Sequence, residues 1–205
     1  QVNLDLGAKG LYQLVCPDGT IRRLLHGFLT TGMQGKVSTT GQSLLQGNPV
    51  DEDHHAATIE LGVKLLMGSV REYLLSGNSE RMSLVSMDDK HNWIHEHLEA
   101  QHALDLEEHL SGQVLELSSE QKRRLAIARA AASRPAVLCL EEPMQGLDQE
   151  ATERISQTIL QESARRAVLV LVSAPLSQWL KIAQLGYIYG EYLYKTPQEE
   201  EPQQS

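Results

Sequence analysis

Three continuous apolar runs divide the chain, and stretches of helical composition separate them. GLYQLV, AVLCLE and AVLVLVS show no alternation of polar residues, which is typical of strands buried on both faces of a sheet. Stretches rich in Ala, Leu and Arg precede the second run, and a further helical stretch lies between the second and the third. Strands that alternate with helices predict an α/β fold with a mainly parallel sheet.

Helix start signals place two helices in the C-terminal half. Ser118 and Gln121 have the spacing of a capping box, and they predict a helix over residues 120–133. Asp148 can cap a second helix that runs to about Arg166. After Pro175 the pattern predicts a further helix, and GYIYGEYLYK then predicts two short strands around a glycine.

The N-terminal half contains more turns. The first strand leads into the turn CPDG, a short helix IRRLLHGFL and a small β-hairpin region GKVSTTGQSLL. Residues 52–117 are charged and helical in pattern, which predicts a helical lobe inserted between the halves of the core. We expect a single domain over residues 1–195 and a disordered tail over residues 196–205 (TPQEEEPQQS), which has no apolar anchor.

Composition narrows the possible partners and the compartment. A net charge of −9 and an aromatic content of 4% argue against nucleic-acid binding. Cys16 and Cys139 lie in or beside apolar runs, which indicates buried thiols in a reducing, cytoplasmic setting rather than a disulfide. The strongest apolar run is far shorter than the roughly 20 residues of a membrane span. We therefore expect contact with a membrane only through partners.

Residues 117–148 contain LSSEQ, an Arg- and Ala-rich helix, the strand VLCLEE and the turn GLD, in that order. This order and spacing resemble the nucleotide-binding domain of ABC transporters, and the resemblance extends over residues 2–194. It implies a P-loop NTPase-like core of the ABC type with a mainly parallel sheet, a small antiparallel β part and an inserted helical lobe.

The phosphate-binding loop is incomplete in this sequence. A working P-loop has the pattern G-x-x-x-x-G-K-[ST], in which backbone amides, a lysine and a hydroxyl hold the phosphates and Mg²⁺. The first strand is followed instead by CPDGTIRRL, which resembles the opening of such a loop without its Gly-Lys-Ser/Thr end. The resemblance assigns four degenerate nucleotide-binding positions: Asp18, Gly19, Thr20 and Arg22.

The catalytic positions of the family are altered as well. Glu141 stands where the family has the metal-orienting aspartate, and its longer side chain makes it a weak metal ligand. Glu142 keeps the position of the catalytic base, which we expect to be a relic in this chain. Ala174 occupies the position of the switch histidine and offers no donor for a phosphate.

The signature motif and the D-loop also correspond residue by residue. Where the family has LSGGQ, this chain has the signature-like residues Ser118, Ser119, Glu120 and Gln121. The carboxylate of Glu120 would repel a phosphate held by an opposing subunit, although it also favours a helix N-terminus. The D-loop-like residues Gly146, Leu147 and Asp148 correspond to the family's dimer interface, or serve only as a turn and a helix cap.

The predicted lobe contains several histidines. His91 and His95 have the i,i+4 spacing of a shared metal site, but the surrounding charged residues favour a solvated helix face.

Three functional interpretations follow from the resemblance. The leading one is a catalytically impaired ABC-type subunit without a cofactor, acting as a structural or regulatory partner of a competent ABC-type ATPase or a transmembrane permease. The alternative is a functional ATPase that binds Mg-ATP through Arg22 or Arg23, Glu141 and Glu142. The third is a fragment of a longer protein that contains a second, intact ABC-type domain.

Overall fold

A computed structural model describes residues 9–19, 22, 44–45, 48–49, 56–59, 68–189 and 192–195. Eight strands lie in these ranges: β1 (Gly10–Val15), β2 (Leu44–Leu45), β3 (Asn48–Pro49), β4 (Ala56–Ile59), β5 (Val137–Glu141), β6 (Ala167–Val172), β7 (Gln184–Tyr189) and β8 (Tyr192–Lys195). Six of them form one sheet in the order β4-β5-β6-β1-β7-β8.

The sheet is parallel except at one edge. β1 pairs in parallel with β6 and β7, β5 pairs in parallel with β4 and β6, and only β8 runs antiparallel, against β7. β2 and β3 form a separate two-stranded antiparallel ribbon. The mainly parallel α/β fold with a small antiparallel part is confirmed. Most of the predicted helix IRRLLHGFL and of the hairpin region GKVSTTGQSLL lies outside the described residues.

Five helices are described: α1 (Val70–Leu75), α2 (Ser79–Ser83), α3 (Met87–Ala100), α4 (Ser119–Ala132) and α5 (Gln149–Ser163). The two helices predicted in the C-terminal half correspond to α4 and α5, although α5 ends three residues before Arg166. The predicted helix after Pro175 is wrong, because only a single 3₁₀ turn, Ser177–Trp179, is present there. Trp179 is buried in the core, and this anchor turns the chain directly towards β7.

The strand β4 lies inside the range predicted as helical lobe. Ala56–Ile59 pairs with β5 and forms the edge of the main sheet, so the boundary near residue 52 is corrected. The run AATI is short and begins with two alanines, which favour helices over strands, so its strand signal is weak. The helices of the lobe begin at Val70 and are followed by 3₁₀ turns that extend to Glu116.

Helix α4 belongs to two hydrophobic cores at once. Ala126 and Ile127 pack on the sheet together with residues of α5, whereas Leu125 and Ala128 pack into the core of the lobe. From Leu125 to Ala132 the helix is apolar except for Arg129, which is expected of a segment buried on more than one side. The lobe and the sheet are therefore joined through one shared helix.

Polar contacts reinforce this junction. The Nε2 of Gln101, at the end of α3, donates to Glu162 of α5 at 2.8 Å, and the Thr158 hydroxyl donates to the Gln101 carbonyl at 2.9 Å. A ring nitrogen of His97 lies 2.8 Å from the Ala128 carbonyl. Gln101, Thr158 and Glu162 are all buried, so each of these bonds satisfies polar groups that water does not reach.

Candidate functional site

The carboxyl ends of β1, β5 and β6 meet at one edge of the sheet. Because β6 lies between β1 and β5 and all three run in parallel, the segments that follow them are neighbours. These segments start at Cys16, Glu142 and Ser173. In open α/β sheets, ligands bind at this edge, and the sequence-predicted phosphate loop, metal position and switch position all fall here.

Arg22 reaches across this edge from the segment that follows β1. Its Nε lies 3.5 Å from Glu141 Oε1, and its Nη2 lies 3.7 Å from Glu142 Oε1. Its Nη1 donates to the carbonyl of Cys16 at 2.6 Å and to that of Pro17 at 3.3 Å. The side chains of Arg22 and of both glutamates are largely buried, so one guanidinium faces two carboxylates away from solvent and offsets one of their two negative charges.

Glu142 is fixed from a second side. Its Oε1 accepts a hydrogen bond from the backbone N–H of Ser173 at 2.7 Å, and its own N–H donates to the Leu171 carbonyl at 2.9 Å. The backbone of Glu142 has a φ of 44°, a left-handed conformation that is unfavourable for a residue other than glycine. The carboxylate at the position of the catalytic base is thus held by Arg22 and by the loop after β6.

The arrangement of Arg22, Glu141 and Glu142 does not fit a Mg-ATP site. Mg²⁺ demands octahedral oxygen ligands and is usually held by one or two carboxylates together with substrate phosphates. Here the two carboxylates that would face the metal are engaged by Arg22. The sequence after β1 also lacks the Gly-Lys-Ser/Thr of a phosphate cradle. Asp18 and Gly19 lie beside Arg22, and Thr20 lies outside the described residues.

The signature-like residues begin α4. The Ser118 hydroxyl accepts from the Gln121 backbone N–H at 3.1 Å, and the side-chain oxygen Oε1 of Gln121 accepts from the Ser118 N–H at 3.0 Å. The side chain of Glu120 turns inward and is largely buried. It pairs with Arg124 one turn later and with the Nε of Arg154 on α5 at 3.0 Å. The exposed Ser119 makes no such contact among the described residues.

The D-loop-like residues form a turn and a cap. Gly146 has a φ of 73°, and the partly buried Leu147 packs against the sheet core. Asp148 caps α5, with its Oδ1 accepting from the Ala151 N–H at 2.8 Å. Arg123 of α4 braces the preceding loop by donating to the carbonyls of Pro143 at 2.6 Å and Gln145 at 3.1 Å. No sequence signal pointed to that role of Arg123.

The loop after β6 contains the exposed Ala174. Two residues later, the Leu176 N–H donates to the side-chain oxygen of Gln13 at 2.7 Å. Gln13 is the one polar residue in the buried strand β1, and its exposure is 1%. A polar residue inside the apolar run GLYQLV was the available signal for a buried contact that fixes the switch loop.

The histidine pair of the lobe has a common neighbour. His95 Nδ1 lies 2.9 Å from one oxygen of Glu107, and His91 Nε2 lies 3.8 Å from the other. Among the described ranges, no group of three or more His, Cys, Asp or Glu residues is arranged to hold a metal ion. Likewise, no described helix is long and apolar enough to cross a lipid bilayer.

The sequence model of the ABC transporter family matches residues 1–145, which is more than half of the chain. The chain belongs to this family. Among curated ABC relatives, a phosphate import ATP-binding protein (PstB) of Thermotoga maritima is 38% identical over 86 residues, covering 41% of this chain and 34% of that protein. An Fe(3+) ions import ATP-binding protein (FbpC) of Mesorhizobium japonicum is 29% identical over 178 residues, covering 84% of this chain and 45% of that protein.

Solved ABC structures share the fold. The dimeric ATP-binding cassette MJ0796 bound to ADP and Pi superposes with a TM-score of 0.73 at 19% identity, covering 95% of this chain and 88% of that one. A bacterial Atm1-family ABC exporter with ATP bound gives a TM-score of 0.70 at 17% identity, covering 91% and 33%. The chain thus has the fold of an ABC ATPase cassette, and it spans less than half the length of the curated relatives named above.

Proposed function

We propose that this chain is a catalytically impaired ABC-type subunit that acts as a structural or regulatory partner in an ABC-transporter-like complex. We place it on the cytoplasmic side of a membrane, to which it attaches only through other subunits. The observation that carries the proposal is the pairing of Arg22 with both Glu141 and Glu142. The proposal includes the absence of a bound cofactor.

Arg22 supplies one positive charge to this pair of carboxylates and occupies the position between them. Mg²⁺ would have to displace a guanidinium that also donates to the carbonyls of Cys16 and Pro17. Glu142 would also have to leave the Ser173 amide in order to act as a base. Displacement of Arg22 and loss of the Glu142–Ser173 hydrogen bond would each leave buried polar groups without partners. Both changes therefore oppose metal binding and water activation.

The charges around the signature-like residue Glu120 support the same interpretation. Glu120, Asp105 and Glu150 surround two cations, Arg124 and Arg154, so this network has one more negative than positive charge. A phosphate presented by an opposing subunit would meet, in this network, no cation in excess. The composite site shared with a partner is therefore weakened, in addition to the chain's own phosphate loop.

The proposed partners are a competent ABC-type ATPase subunit, a transmembrane permease, or both. The solved cassette MJ0796 is dimeric, and CydD of Haemophilus influenzae, 27% identical over 178 residues, is an ATP-binding/permease protein. The loop that contains Gly146 and the neighbouring Gln145 is exposed and braced by Arg123. We propose that this loop takes part in pairing.

Calorimetric titration of the chain with Mg-ATP tests the catalytic part, together with phosphate release assays on wild type and Glu142→Gln. We expect no heat of binding at micromolar protein, and equal background phosphate release from both proteins. Tight binding together with hydrolysis that disappears in Glu142→Gln would overturn the proposal. An intact ABC ATPase, measured in parallel, confirms that the assay detects turnover.

Co-purification tests the partner part. The tagged chain is co-expressed with each ABC ATPase or permease subunit that its neighbouring genes encode. We expect Gln145→Arg to reduce recovery of the partner, whereas Gln157→Arg, the same exchange at an exposed site on α5, leaves it unchanged. A chain that recovers neither subunit, or equal recovery from both variants, would count against the proposed pairing surface.

A further inference from the structure

A cleft opens at the sheet edge opposite the candidate site. Arg134 precedes β5 and Arg166 precedes β6, so both lie at the amino ends of parallel strands. The cleft has a volume of about 160 Å³, and α3 closes its other side through Trp93, His97 and Gln101. It therefore lies between the lobe and the ends of α4 and α5, away from Glu141 and Glu142.

Positive charge is in excess in this cleft. Three arginines line it, Arg134, Arg165 and Arg166, with Glu162 as the only acidic lining residue. Glu162 pairs with Arg165 at 3.2 Å and with Arg166 at 2.7 Å. Arg134 has no ion pair among the described residues. The lining thus has two positive charges in excess, although the chain as a whole has a net charge of −9.

The three arginines differ in their availability. Arg166 is partly buried and also donates to the Pro135 carbonyl at 3.0 Å, so its guanidinium stabilises the fold and is less available to a ligand. Arg134 and Arg165 are exposed and keep guanidinium N–H groups that make no contact with other described residues. Arg134 follows the end of α4 with a φ of 52°, which places it in a tight turn at the rim of the cleft.

The floor of the cleft contains a buried acceptor without a donor. Gln101 is 2% exposed, and its Nε2 donates to Glu162, but its Oε1 receives no hydrogen bond from any described residue. Beside it, Trp93 and His97 stack with ring centroids 4.8 Å apart. An unsatisfied buried acceptor costs free energy, and a ligand that completes it must donate a hydrogen bond; the P–OH group of hydrogen phosphate can do so while its charged oxygens face the arginines.

We propose that this cleft binds a phosphoryl group, either as inorganic phosphate or as the phosphate of a small monoester. Guanidinium groups recognise phosphate through paired N–H donors, and two such groups at the rim match its charge. The volume accommodates about five water molecules at ~30 Å³ each, which suits a phosphoryl group. The cleft is partly open to solvent, so the organic part of a monoester can extend out of it.

Fluorescence of Trp93 provides a direct readout of binding. The chain has two tryptophans, and the second, Trp179, is buried in the sheet core, so Trp179→Phe leaves a single reporter in the cleft. This variant is titrated with inorganic phosphate and with phenyl phosphate, and with chloride at matched ionic strength. We expect a saturable change with at least one phosphate probe and none with chloride. Binding of phenyl phosphate alone would identify a monoester as the ligand.

Matched arginine variants locate the site. Arg134→Ala and Arg165→Ala should each weaken phosphate binding about tenfold, the loss expected for a charge-assisted hydrogen bond. Arg81→Ala removes the same charge from an exposed position on α2 outside the cleft and should leave binding unchanged. Circular dichroism of all three variants verifies that they are folded.

Three results would overturn the proposal. They are a linear, non-saturable response, an equal response to chloride, and an equal loss in Arg81→Ala. The third would mean that only overall charge matters. The site is remote from Arg22, so these results leave the proposed function unaffected.

Discussion

At the scale of single residues, Arg22 explains how two adjacent carboxylates coexist in a buried place. Its side chain is 14% exposed, and those of Glu141 and Glu142 are each 10% exposed. Removal of one member of a buried ion pair leaves an uncompensated charge, which is far more costly than loss of a surface pair. Arg22 is thus a structural residue, and in the proposed function it also stands in place of a metal ion.

Arg22→Ala should therefore destabilise the chain by about 3 kcal/mol. For a chain of this size, that loss lowers the thermal midpoint by about 6 to 12 °C. Arg22→Lys should lose less, because it keeps the charge but cannot serve both the carboxylates and the Cys16 carbonyl. Differential scanning calorimetry measures both midpoints. Equal midpoints for Arg22→Ala and wild type would contradict the proposed charge compensation.

The pKa values of two histidines on α3 should be shifted in opposite directions from that of a free histidine. The hydrogen bond with Glu107 raises the pKa of His95 above 6.5, whereas burial lowers the pKa of His97 below 6.5. Stabilisation from His95 is therefore present below pH 6.5 and lost as the pH rises through its folded pKa. Stabilisation from His97 is present above pH 6.5 and lost as the pH falls through its folded pKa.

NMR titration of the imidazole carbons in phosphate-free buffer measures both values. His95→Gln and His97→Gln provide the assignments. The prediction is wrong if His97 titrates at a pKa equal to or above that of His95.

Contacts between residues close in the chain could be predicted from the sequence, whereas contacts between distant residues could not. The Ser118 capping box and the Asp148 cap join residues three positions apart, so their spacing alone predicts them. The partner of Glu120 on α5, Arg154, depends on how α4 packs against α5, which no local pattern contains. The same holds for Arg22, whose two acceptors are distant in the sequence and meet only at the sheet edge.

At the scale of elements, the backbone after α1 packs so closely against the shared helix α4 that only a glycine fits at the contact. Gly77 follows α1, and an added Cβ there would lie 2.1 Å from the Arg129 carbonyl oxygen of α4. The Arg129 side chain completes the contact, with its Nε donating to Ser76 at 2.9 Å and its guanidinium 5.1 Å from the centre of the Tyr73 ring. Backbone meets backbone here, so neither side can easily move away.

Gly77→Ala should therefore cost about 3 kcal/mol, the upper part of the range for overpacking a core. Gly146→Ala provides the matched control, because an added Cβ there meets nothing within 4 Å and only its φ of +73° is unfavourable. We expect about 1–2 kcal/mol for Gly146→Ala, the cost of a left-handed conformation. Urea unfolding of both variants measures the difference. A smaller loss for Gly77→Ala than for Gly146→Ala would contradict the close approach.

The predictability of each element depended on the strength of its local signal. β5 and β6 are long apolar runs, and α4 and α5 have start signals, so all four follow from the sequence. β4 is only four residues long, and its place in the sheet comes from pairing with β5. The helix expected after Pro175 is absent because burial of Trp179 overrides local helical preference.

At the scale of the whole molecule, the lobe and the sheet should unfold together. They share α4, and buried bonds of Gln101, Thr158 and Glu162 cross between them. Trp93 packs against the lobe core and Trp179 lies in the sheet core, so Trp93→Phe and Trp179→Phe give one reporter for each part. We expect the two urea midpoints to coincide after correction for the substitutions. Clearly separated midpoints would mean that the lobe is an independent unit.

The reactivity of the two cysteine thiols also reports on unfolding of the whole chain. Cys16 and Cys139 are completely buried, and burial raises the pKa of each thiol. A thiol reagent at pH 8 should therefore modify neither cysteine in the native chain and both in the unfolded chain. Absorbance of the released reagent counts the modified thiols. Modification of one thiol under native conditions would reveal local opening around that thiol.

A guanidinium that is attached to the chain cannot diffuse away. One of the two negative charges of Glu141 and Glu142 is therefore offset at any concentration of divalent ions, whether the surrounding solution is rich in magnesium or treated with a chelator. Under the proposed function, this edge of the sheet keeps its structure without the divalent ion that an ordinary ATPase requires. The proposed subunit would then hold one fixed shape while its partner exchanges metal and nucleotide.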